Sequence, residues 1–313
     1  MTTALYSHPD CKRHEMGAWH PESPERLSAI EDQLIASQTA PFLEYRTAPL
    51  AEIADITRVH SPEVIERIRM HTPVEYGGTL DHALTYFELD PDTAINPFSW
   101  HAALRAAGAA VAATQAVIDG EIENAFCAIR PPGHHATSTA SMGFCLFNNV
   151  AIAARYALDV CGLQRIAIVD FDVHHGNGTE AAFLDDPRVL MCSFFQHPFY
   201  PYSGLEAADN MINIPLPAAT TGKIVRELVD TVWLPRLREF KPQLIVISAG
   251  FDAHREDDLG QMGLVEDDYA WITKRLKLVA HEFAEGRIVS CLEGGYSLSA
   301  LARSVEAHIR VLA

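Results

Sequence analysis

The stretch spanning residues 166–178 restricts the fold of this chain more than any other. It begins with Ile-Ala-Ile-Val, a continuous apolar run that is typical of a strand buried on both faces of a parallel sheet. It then becomes polar, as Asp-Phe-Asp-Val-His-His, and ends in Gly-Asn-Gly, which predicts a turn. Since side chains alternate along a strand, we expect Asp170, Asp172 and His174 to point to one side.

These polar side chains follow a strand at its carboxyl end, where open parallel sheets form their binding sites. Asp172 and His174 offer a carboxylate and an imidazole two residues apart, which suit a divalent cation and zinc above all. Asp252 follows a second apolar run and is a third candidate ligand. An Asp-His-Asp set leaves a coordination position open for water and substrate. The structural alternative is capping aspartates beside a hydrogen-bonded core histidine.

Strand-like and helix-like segments alternate along most of the chain. The predicted strands are residues 4–6, 125–129, 166–170, 189–194, 244–248 and 287–292. The predicted helices begin at Pro24, with Ser23 as the N-cap, and at Pro62, with Ser61 as the N-cap, and then span residues 99–118, 148–160, 179–184, 222–239, 267–283 and 299–312. Residues 7–25 are expected to be irregular, and residues 71–97 to form a long ordered loop. This order predicts an α/β fold with a parallel sheet and helices on both faces.

Composition narrows the possible partners and the cellular compartment. No linker composition interrupts the 313 residues, so one domain spanning residues 1–313 is expected. The net charge of −17, from 24 Lys and Arg against 41 Asp and Glu, disfavours direct binding to nucleic acid or to anionic membranes and is compatible with a cationic substrate. The six cysteines form no C-x-x-C pair, and no leader-like or membrane-spanning apolar block is visible. These features predict free thiols in a soluble, cytoplasmic protein.

Two further clusters follow predicted strands. His134 and His135 end the sequence Arg-Pro-Pro-Gly-His-His, whose prolines and glycine restrict the backbone. Adjacent histidines can act as general base and general acid if each has its own polar partner, and a solvated turn is the alternative. Tyr296 ends Glu-Gly-Gly-Tyr, where its hydroxyl can donate to a developing oxyanion, although such a tyrosine can also be a packed loop residue.

Together these motifs resemble the zinc-dependent histone deacetylase family, which has the arginase–deacetylase fold. Six segments match in the order that the family shows them and extend across almost the whole chain. They are H-P-E-S-P-E-R (20–26), R-P-P-G-H-H (130–135), G-F-C-L-F-N-N (143–149), D-F-D-V-H-H-G-N-G (170–178), S-A-G-F-D-A-H (248–254) and L-E-G-G-Y (292–296).

The resemblance implies a role for each motif residue. The metal ligands are Asp172, His174 and Asp252, and the catalytic residues are His134, His135, Tyr296, Asp170 and Asn177. Asp170 orients the first histidine. Asn177 stands where class I members carry Asp, so the chain looks class II-like and the pKa of His135 should be lower than beside a carboxylate. A structural potassium ion would use Asp170, Asp172, His174, Ser193 and Phe194, and Arg26 resembles the arginine of the acetate-release channel.

Six residues are expected to shape the substrate site: Asp92, Gly143, Phe144, Phe199, Tyr200 and Leu259. The aromatic residues are candidates for the walls of an apolar channel, although they can equally be core residues. Asp92 is matched to the loop carboxylate or hydroxyl that holds the substrate backbone in the family. Leu259 stands where polyamine-specific relatives can carry a gatekeeping Glu, which favours acetyl-lysine over an acetylpolyamine.

The sequence therefore predicts a zinc-dependent amidohydrolase that removes acetyl or other acyl groups from lysine side chains in proteins or peptides. The expected chemistry uses metal-activated water, the tandem histidines as acid and base, and Tyr296 as the oxyanion donor. Hydrolysis of acetylpolyamines or other small amides is one alternative, and a catalytically silent acyl-lysine-binding module is another. The sequence leaves open zinc or iron as the cellular metal, the division of roles between the two histidines and the oligomeric state.

Overall fold

An eight-stranded sheet, in which every neighbouring pair of strands is parallel, forms the centre of the molecule. This is a computed structural model that describes residues 2–73 and 85–313. In spatial order the strands are β2 (Leu43–Thr47), β1 (Thr3–Ser7), β5 (Asn124–Cys127), β10 (Ile288–Leu292), β9 (Leu244–Ala249), β6 (Ile166–Asp170), β7 (Val189–Gln196) and β8 (Met211–Leu216). A separate antiparallel pair contains β3 (Phe87–Asp90) and β4 (Thr93–Ile95).

Helices cover both faces of the sheet, as the sequence predicts. The α-helices are α1 (Glu25–Ala36), α2 (Ile53–Ile56), α3 (Pro62–His71), α4 (Ser99–Ile118), α5 (Asn149–Asp159), α6 (Asn177–Phe183), α7 (Gly222–Leu228), α8 (Leu234–Phe240), α9 (Glu266–Phe283) and α10 (Leu298–Leu312). Helices α1, α9 and α10 pack together in one layer, and α4 packs with α5 in another. Over the described residues 2–73 and 85–313, no helix has both the length and the apolar character needed to cross a membrane.

The central elements agree closely with the sequence prediction, and the disagreements lie at the edges. Strand β6 and helix α4 have the predicted bounds, because long apolar runs define them. The edge strands β2 and β8 were not predicted, since their burial is partial and they contain no continuous apolar run. The helix expected over residues 222–239 is divided into α7, a π-helical turn (Val229–Trp233) and α8.

Two predictions near the amino terminus were wrong. The N-cap of α1 is Pro24 rather than Ser23. Residues 7–25 are not wholly irregular, because Pro9–Lys12 form a 3₁₀ helix. In contrast, Ser61 is the N-cap of α3, as expected.

The long loop expected over residues 71–97 was wrong in its second half. Strands β3 and β4 form a hairpin there, and Asp92 lies in the turn between them. The carboxylate of Asp90 accepts a hydrogen bond from the Asp92 backbone N–H at 2.9 Å, which is a local side-chain turn. The middle of the loop, residues 74–84, lies outside the described residues.

The free-thiol prediction is confirmed. All six cysteines lie in the described part of the chain and none forms a disulfide; Cys161 is partly exposed and the other five are buried. Strands β5, β10, β9 and β6 are consecutive in the middle of the sheet, and the register pairs Asp170 with Ser248. Because neighbouring parallel strands end at the same edge, the four motifs that follow these strands meet at one place.

Candidate active site

The three predicted metal ligands converge at the carboxyl edge of the sheet. Asp172 and His174 follow β6, and Asp252 follows β9. The Nδ1 atom of His174 lies 3.0 Å from Oδ1 of Asp172 and 3.1 Å from Oδ2 of Asp252. Ligand atoms about 2 Å from a tetrahedral zinc ion are separated by about 3.3 Å, so these spacings match that geometry. The donor set fits a small divalent cation.

Backbone groups hold both carboxylates in place. Gly294 donates its N–H to Oδ2 of Asp172 at 2.9 Å, and Val173 donates its N–H to Oδ1 of Asp252 at 2.8 Å. A Cβ atom at Gly250 would lie 2.0 Å from Oδ2 of Asp172, so a larger residue has no room there. Hydrogen bonds of this kind fix the orientation of the side chains that coordinate a metal and raise the affinity of the site for it.

The electrostatics of the cluster favour a positive charge. Burial alone would lower the pKa of His174, but the carboxylates of Asp172 and Asp252 outweigh it and raise that pKa to about 10. Burial and the neighbouring Asp172 carboxylate raise the pKa of Asp252 to about 7. Two carboxylates buried this close together repel each other, so a cation between them lowers the energy of the site.

The tandem histidines lie beside the ligands, and each has a different polar partner. Nδ1 of His134 is 2.9 Å from Oδ2 of Asp170, and Nδ1 of His135 is 2.8 Å from Oδ1 of Asn177. The two imidazole rings are 4.0 Å apart between centroids. The separate partners that acid–base chemistry requires are therefore present, and the solvated-turn alternative is wrong because both histidines are buried.

The two partners separate the pKa values of the histidines. Burial would lower the pKa of His134, but the carboxylates of Asp172 and Asp170 outweigh burial and raise it well above its usual value. Burial lowers the pKa of His135 well below its usual value, and the nearby His134 and His174 rings lower it further. The first ring is thus stabilised as a cation and the second as a neutral base or donor.

A cavity of about 210 Å³ opens beside the cluster. It is lined by Asp92, His135, Gly143, Phe144, His174, Phe199, Tyr200, Leu259 and Tyr296, a set that includes all six residues expected at the substrate site. Phe199 stacks on the His174 ring at 5.4 Å, and Tyr200 meets the His135 ring edge-on at 5.1 Å. The walls are mainly aromatic, and the predicted metal ligand His174 and the tandem histidine His135 are both part of the lining.

Tyr296 faces this cavity from the loop after β10. Its ring meets Phe144 edge-on at 5.8 Å. Burial and the Asp252 carboxylate raise the pKa of Tyr296 well above its usual value, although Arg26 opposes them, so its hydroxyl remains protonated and can donate. Arg26 itself is fully buried behind the ring, with its guanidinium carbon 5.1 Å from the ring centroid, and does not line the cavity.

The structure defines the surroundings of two residues in the cavity wall, Asp92 and Leu259. Asp92 accepts the Gly143 N–H at 3.0 Å and the Thr93 hydroxyl at 2.7 Å, so the hairpin turn is attached to the Gly143–Phe144 segment. Leu259 lies in the cavity wall, whereas its acidic neighbours Glu256 and Asp258 are exposed. The cavity wall therefore contains the apolar side chain of Leu259 and not the carboxylate of Glu256 or Asp258.

The residues expected to hold potassium lie on β6 and β7 and in the segment after β6. Ser193 and Phe194 are buried on β7, and the register pairs Ser193 with Asp170. Oδ1 of Asp170 accepts the Asp172 backbone N–H at 3.1 Å. A potassium ion at this position remains a prediction.

Two structural residues of the site were not anticipated. Glu293, fully buried, accepts the N–H groups of Gly133 and His134 at 2.6 and 3.1 Å and the Ser248 hydroxyl at 3.2 Å. Asp257 accepts three backbone N–H groups from two loops. The sequence signals for Glu293 were its place at the end of an apolar strand and in the L-E-G-G-Y segment. Nothing in the sequence distinguishes Asp257 from the exposed acids on either side.

Comparison with known proteins agrees with this geometry. Residues 20–312 match the histone deacetylase domain. The chain belongs to the histone deacetylase family. It is 37% identical to the histone deacetylase-like amidohydrolase of Pseudomonas aeruginosa, over 90% of this chain and 73% of that protein. It is also 37% identical to the polyamine deacetylase HDAC10 of Mus musculus, over 99% of this chain and 46% of that protein.

A solved structure supports the fold of this deacetylase. The crystal structure of the HDA15 HD domain superposes with a TM-score of 0.91 at 32% identity, covering 100% of this chain and 89% of that one. The arginase–deacetylase fold expected from the sequence is confirmed, and the chain is a hydrolase that acts on amide bonds.

Replacing Gly250 by Ala should weaken metal binding, because the new Cβ would lie 2.0 Å from the Asp172 carboxylate. We expect zinc affinity to fall about 10- to 100-fold, as for other changes that misdirect a ligand. Competition with a chromophoric chelator measures this. Gly263→Ala is the matched control, since its Cβ would meet its nearest atom at 3.5 Å. Equal affinities in the two variants would contradict the argument.

Replacing Asn177 by Asp should change the pH dependence. A carboxylate 2.8 Å from Nδ1 of His135 stabilises the imidazolium and raises its pKa. Because the neutral ring must accept a proton, the acidic limb of the kcat/KM profile should move to higher pH by about one unit. Gln164→Glu adds the same charge at an exposed position before β6 and should leave the limb unchanged. An unmoved limb in Asn177→Asp would remove His135 from proton transfer.

Proposed function

We propose that this deacetylase hydrolyses the acyl amide of lysine side chains in proteins or peptides, with zinc held by Asp172, His174 and Asp252. The observation that carries the proposal is a single aromatic-walled cavity lined by His174, His135 and Tyr296 together. A cation site, a proton acceptor and a hydroxyl donor around one cavity are the groups that amide hydrolysis requires. Each group that the reaction requires has a residue of suitable chemistry in this chain, which argues against a catalytically silent binding module.

The chain's own residues supply proton transfer. Zinc, when bound, would polarise the acyl carbonyl and lower the pKa of the attacking water. Because Nδ1 of His135 donates to the Asn177 oxygen, Nε2 keeps its lone pair and can accept a proton from that water. We therefore assign the general base to His135, which lines the cavity, rather than to His134, which does not.

The remaining residues stabilise charge and release the amine. The Tyr296 hydroxyl donates a hydrogen bond to the oxyanion that forms when water attacks the carbonyl carbon. The proton held by His135 then passes to the leaving ε-amine as the C–N bond breaks, since an unprotonated amine is a poor leaving group at neutral pH. His134 is held against Asp170, and despite its burial the carboxylates of Asp172 and Asp170 raise its pKa and so favour its protonated form.

The side chains of the channel wall favour acyl-lysine over acylated polyamines as the substrate. Leu259 offers no negative charge to a second amine, and Phe144, Phe199 and Tyr200 suit an unbranched alkyl chain. Acetylpolyamine hydrolysis is the second candidate, because the relative HDAC10 is named a polyamine deacetylase. Other parts of the sequence interpretation stay predictions: a cytoplasmic location, one domain over residues 1–313, structural potassium and an acetate channel beside Arg26.

Replacing Tyr296 by Phe should lower kcat on an acetyl-lysine peptide about 10²- to 10³-fold, the usual cost of one oxyanion donor. Tyr202→Phe removes the same hydroxyl from an exposed neighbouring loop and should leave kcat unchanged. A zinc-loaded Tyr296→Phe enzyme with the wild-type rate would exclude this role. Wild-type protein that binds the peptide without turnover would instead support the silent module.

Replacing Leu259 by Glu should shift the substrate preference. We expect wild type to favour an acetyl-lysine peptide over N8-acetylspermidine, and the variant to change the ratio of kcat/KM values about tenfold toward the polyamine, as one partly buried charge pair would. Leu259→Gln is the control of equal shape without charge. A wild-type preference for the polyamine would overturn the proposed substrate class.

A further inference from the structure

Asp257 connects two walls of the active-site cavity. Its carboxylate is buried, with 6% of the residue exposed. Oδ1 accepts the backbone N–H of Leu259 at 3.0 Å, in the loop after β9. Oδ2 accepts the backbone N–H groups of Tyr296 at 2.6 Å and Ser297 at 3.0 Å, in the loop after β10. One side chain thus attaches the apolar wall residue and the tyrosine loop to each other.

The loop that carries Tyr296 is held from two directions. From behind, Arg26 donates to the backbone carbonyls of Glu293 at 2.5 Å and Gly295 at 2.7 Å. From the front, Asp257 accepts the next two N–H groups. Gly295 has a φ of +119°, a conformation in which glycine meets little steric restriction, so the backbone on its own would not hold the tyrosine in one place.

Two side chains lie against the ring of Tyr296. It touches Phe144 edge-on, and Arg26 lies 5.1 Å from its centroid. Leu298 and Ser299, two and three residues farther along the chain, are exposed. A hydroxyl that stabilises an oxyanion must lie within a few tenths of an ångström of its working position, and displacement by about 1 Å can cost about 10²-fold in rate.

We propose that Asp257 is a positioning residue that sets the Tyr296 hydroxyl over the metal site and fixes Leu259 in the channel wall. Its carboxylate touches backbone N–H groups, not the reacting atoms, so it acts through these two residues. The kinetic part of the inference rests on the proposed function. The structural part, anchoring of the 293–297 loop, does not.

Amide hydrogen exchange tests the anchoring without turnover. Asp257→Asn keeps the shape and one acceptor oxygen but turns an NH₂ group toward a former N–H donor. We expect exchange in the 293–297 segment of the zinc-loaded enzyme to rise about tenfold, as for the loss of one buried hydrogen bond. Asp258→Asn, the same change at the exposed neighbour, should not alter it. Equal exchange in the two variants would overturn the proposal.

Kinetics then separate positioning from a general structural role. In Asp257→Asn, kcat on the acetyl-lysine peptide should fall about 10- to 100-fold while KM stays within roughly threefold. In a Tyr296→Phe background the same change should cost less than about threefold, because the hydroxyl it positions is already absent. Full additivity of the two losses would show that Asp257 does not act through Tyr296.

Asp257→Glu covers the case in which the Asn variant does not fold. It keeps the charge on a longer stem, so exchange of the 293–297 segment should rise above wild type by less than about tenfold, and kcat should fall by less than about tenfold. A Glu variant with wild-type exchange and reduced kcat would overturn the proposal. Wild-type protein that cleaves no acylated amine, with the exchange difference intact, would refute the proposed function and leave the anchoring supported.

Discussion

The site depends on keeping two carboxylates, those of Asp172 and Asp252, buried at the ends of adjacent strands. At about 4 Å, two like charges cost about 4 kcal/mol even at an effective dielectric constant of 20. Backbone N–H groups of Gly294 and Val173 offset part of this cost, and the His174 imidazole lies between the acids. A bound dication would offset the rest. The surrounding loops therefore direct the carboxylate oxygens of Asp172 and Asp252 toward one point and do not separate the two carboxylates.

This arrangement follows from the parallel sheet. In a parallel sheet all carboxyl ends lie on one edge, so β6, β9, β10 and β5 each deliver the next few residues to the same place. Glu293 connects several of the segments that follow these strands. Its carboxylate follows β10 but accepts hydrogen bonds from backbone N–H groups that follow β5 and from the Ser248 hydroxyl near the end of β9. A one-residue register change in any of these strands would point its site residues to the other face.

The sequence predicted what is encoded locally and missed what depends on distant contacts. Strand β6 and its following ligands lie in one continuous segment, so the apolar run and the alternation of side chains sufficed. Edge strands such as β2 lack that pattern because one face meets solvent. Asp257 and Glu293 accept hydrogen bonds from backbone N–H groups of residues that lie 39 and 160 positions away in the sequence. No residue type or spacing in the sequence predicts such partners.

The candidate catalytic groups and the channel wall lie at different distances from the ends of the central strands. The candidate metal ligands and the tandem histidines follow central strands that are buried on both faces, where any displacement disturbs the whole core. The channel wall, in contrast, comes from loop residues farther from the strand ends, in the β3–β4 turn and in the segments after β5, β7 and β9. Loops tolerate substitution at lower cost than core strands. A deacetylase of this fold can therefore change the substrate it accepts through a residue such as Leu259 while the groups that break the amide bond remain in place.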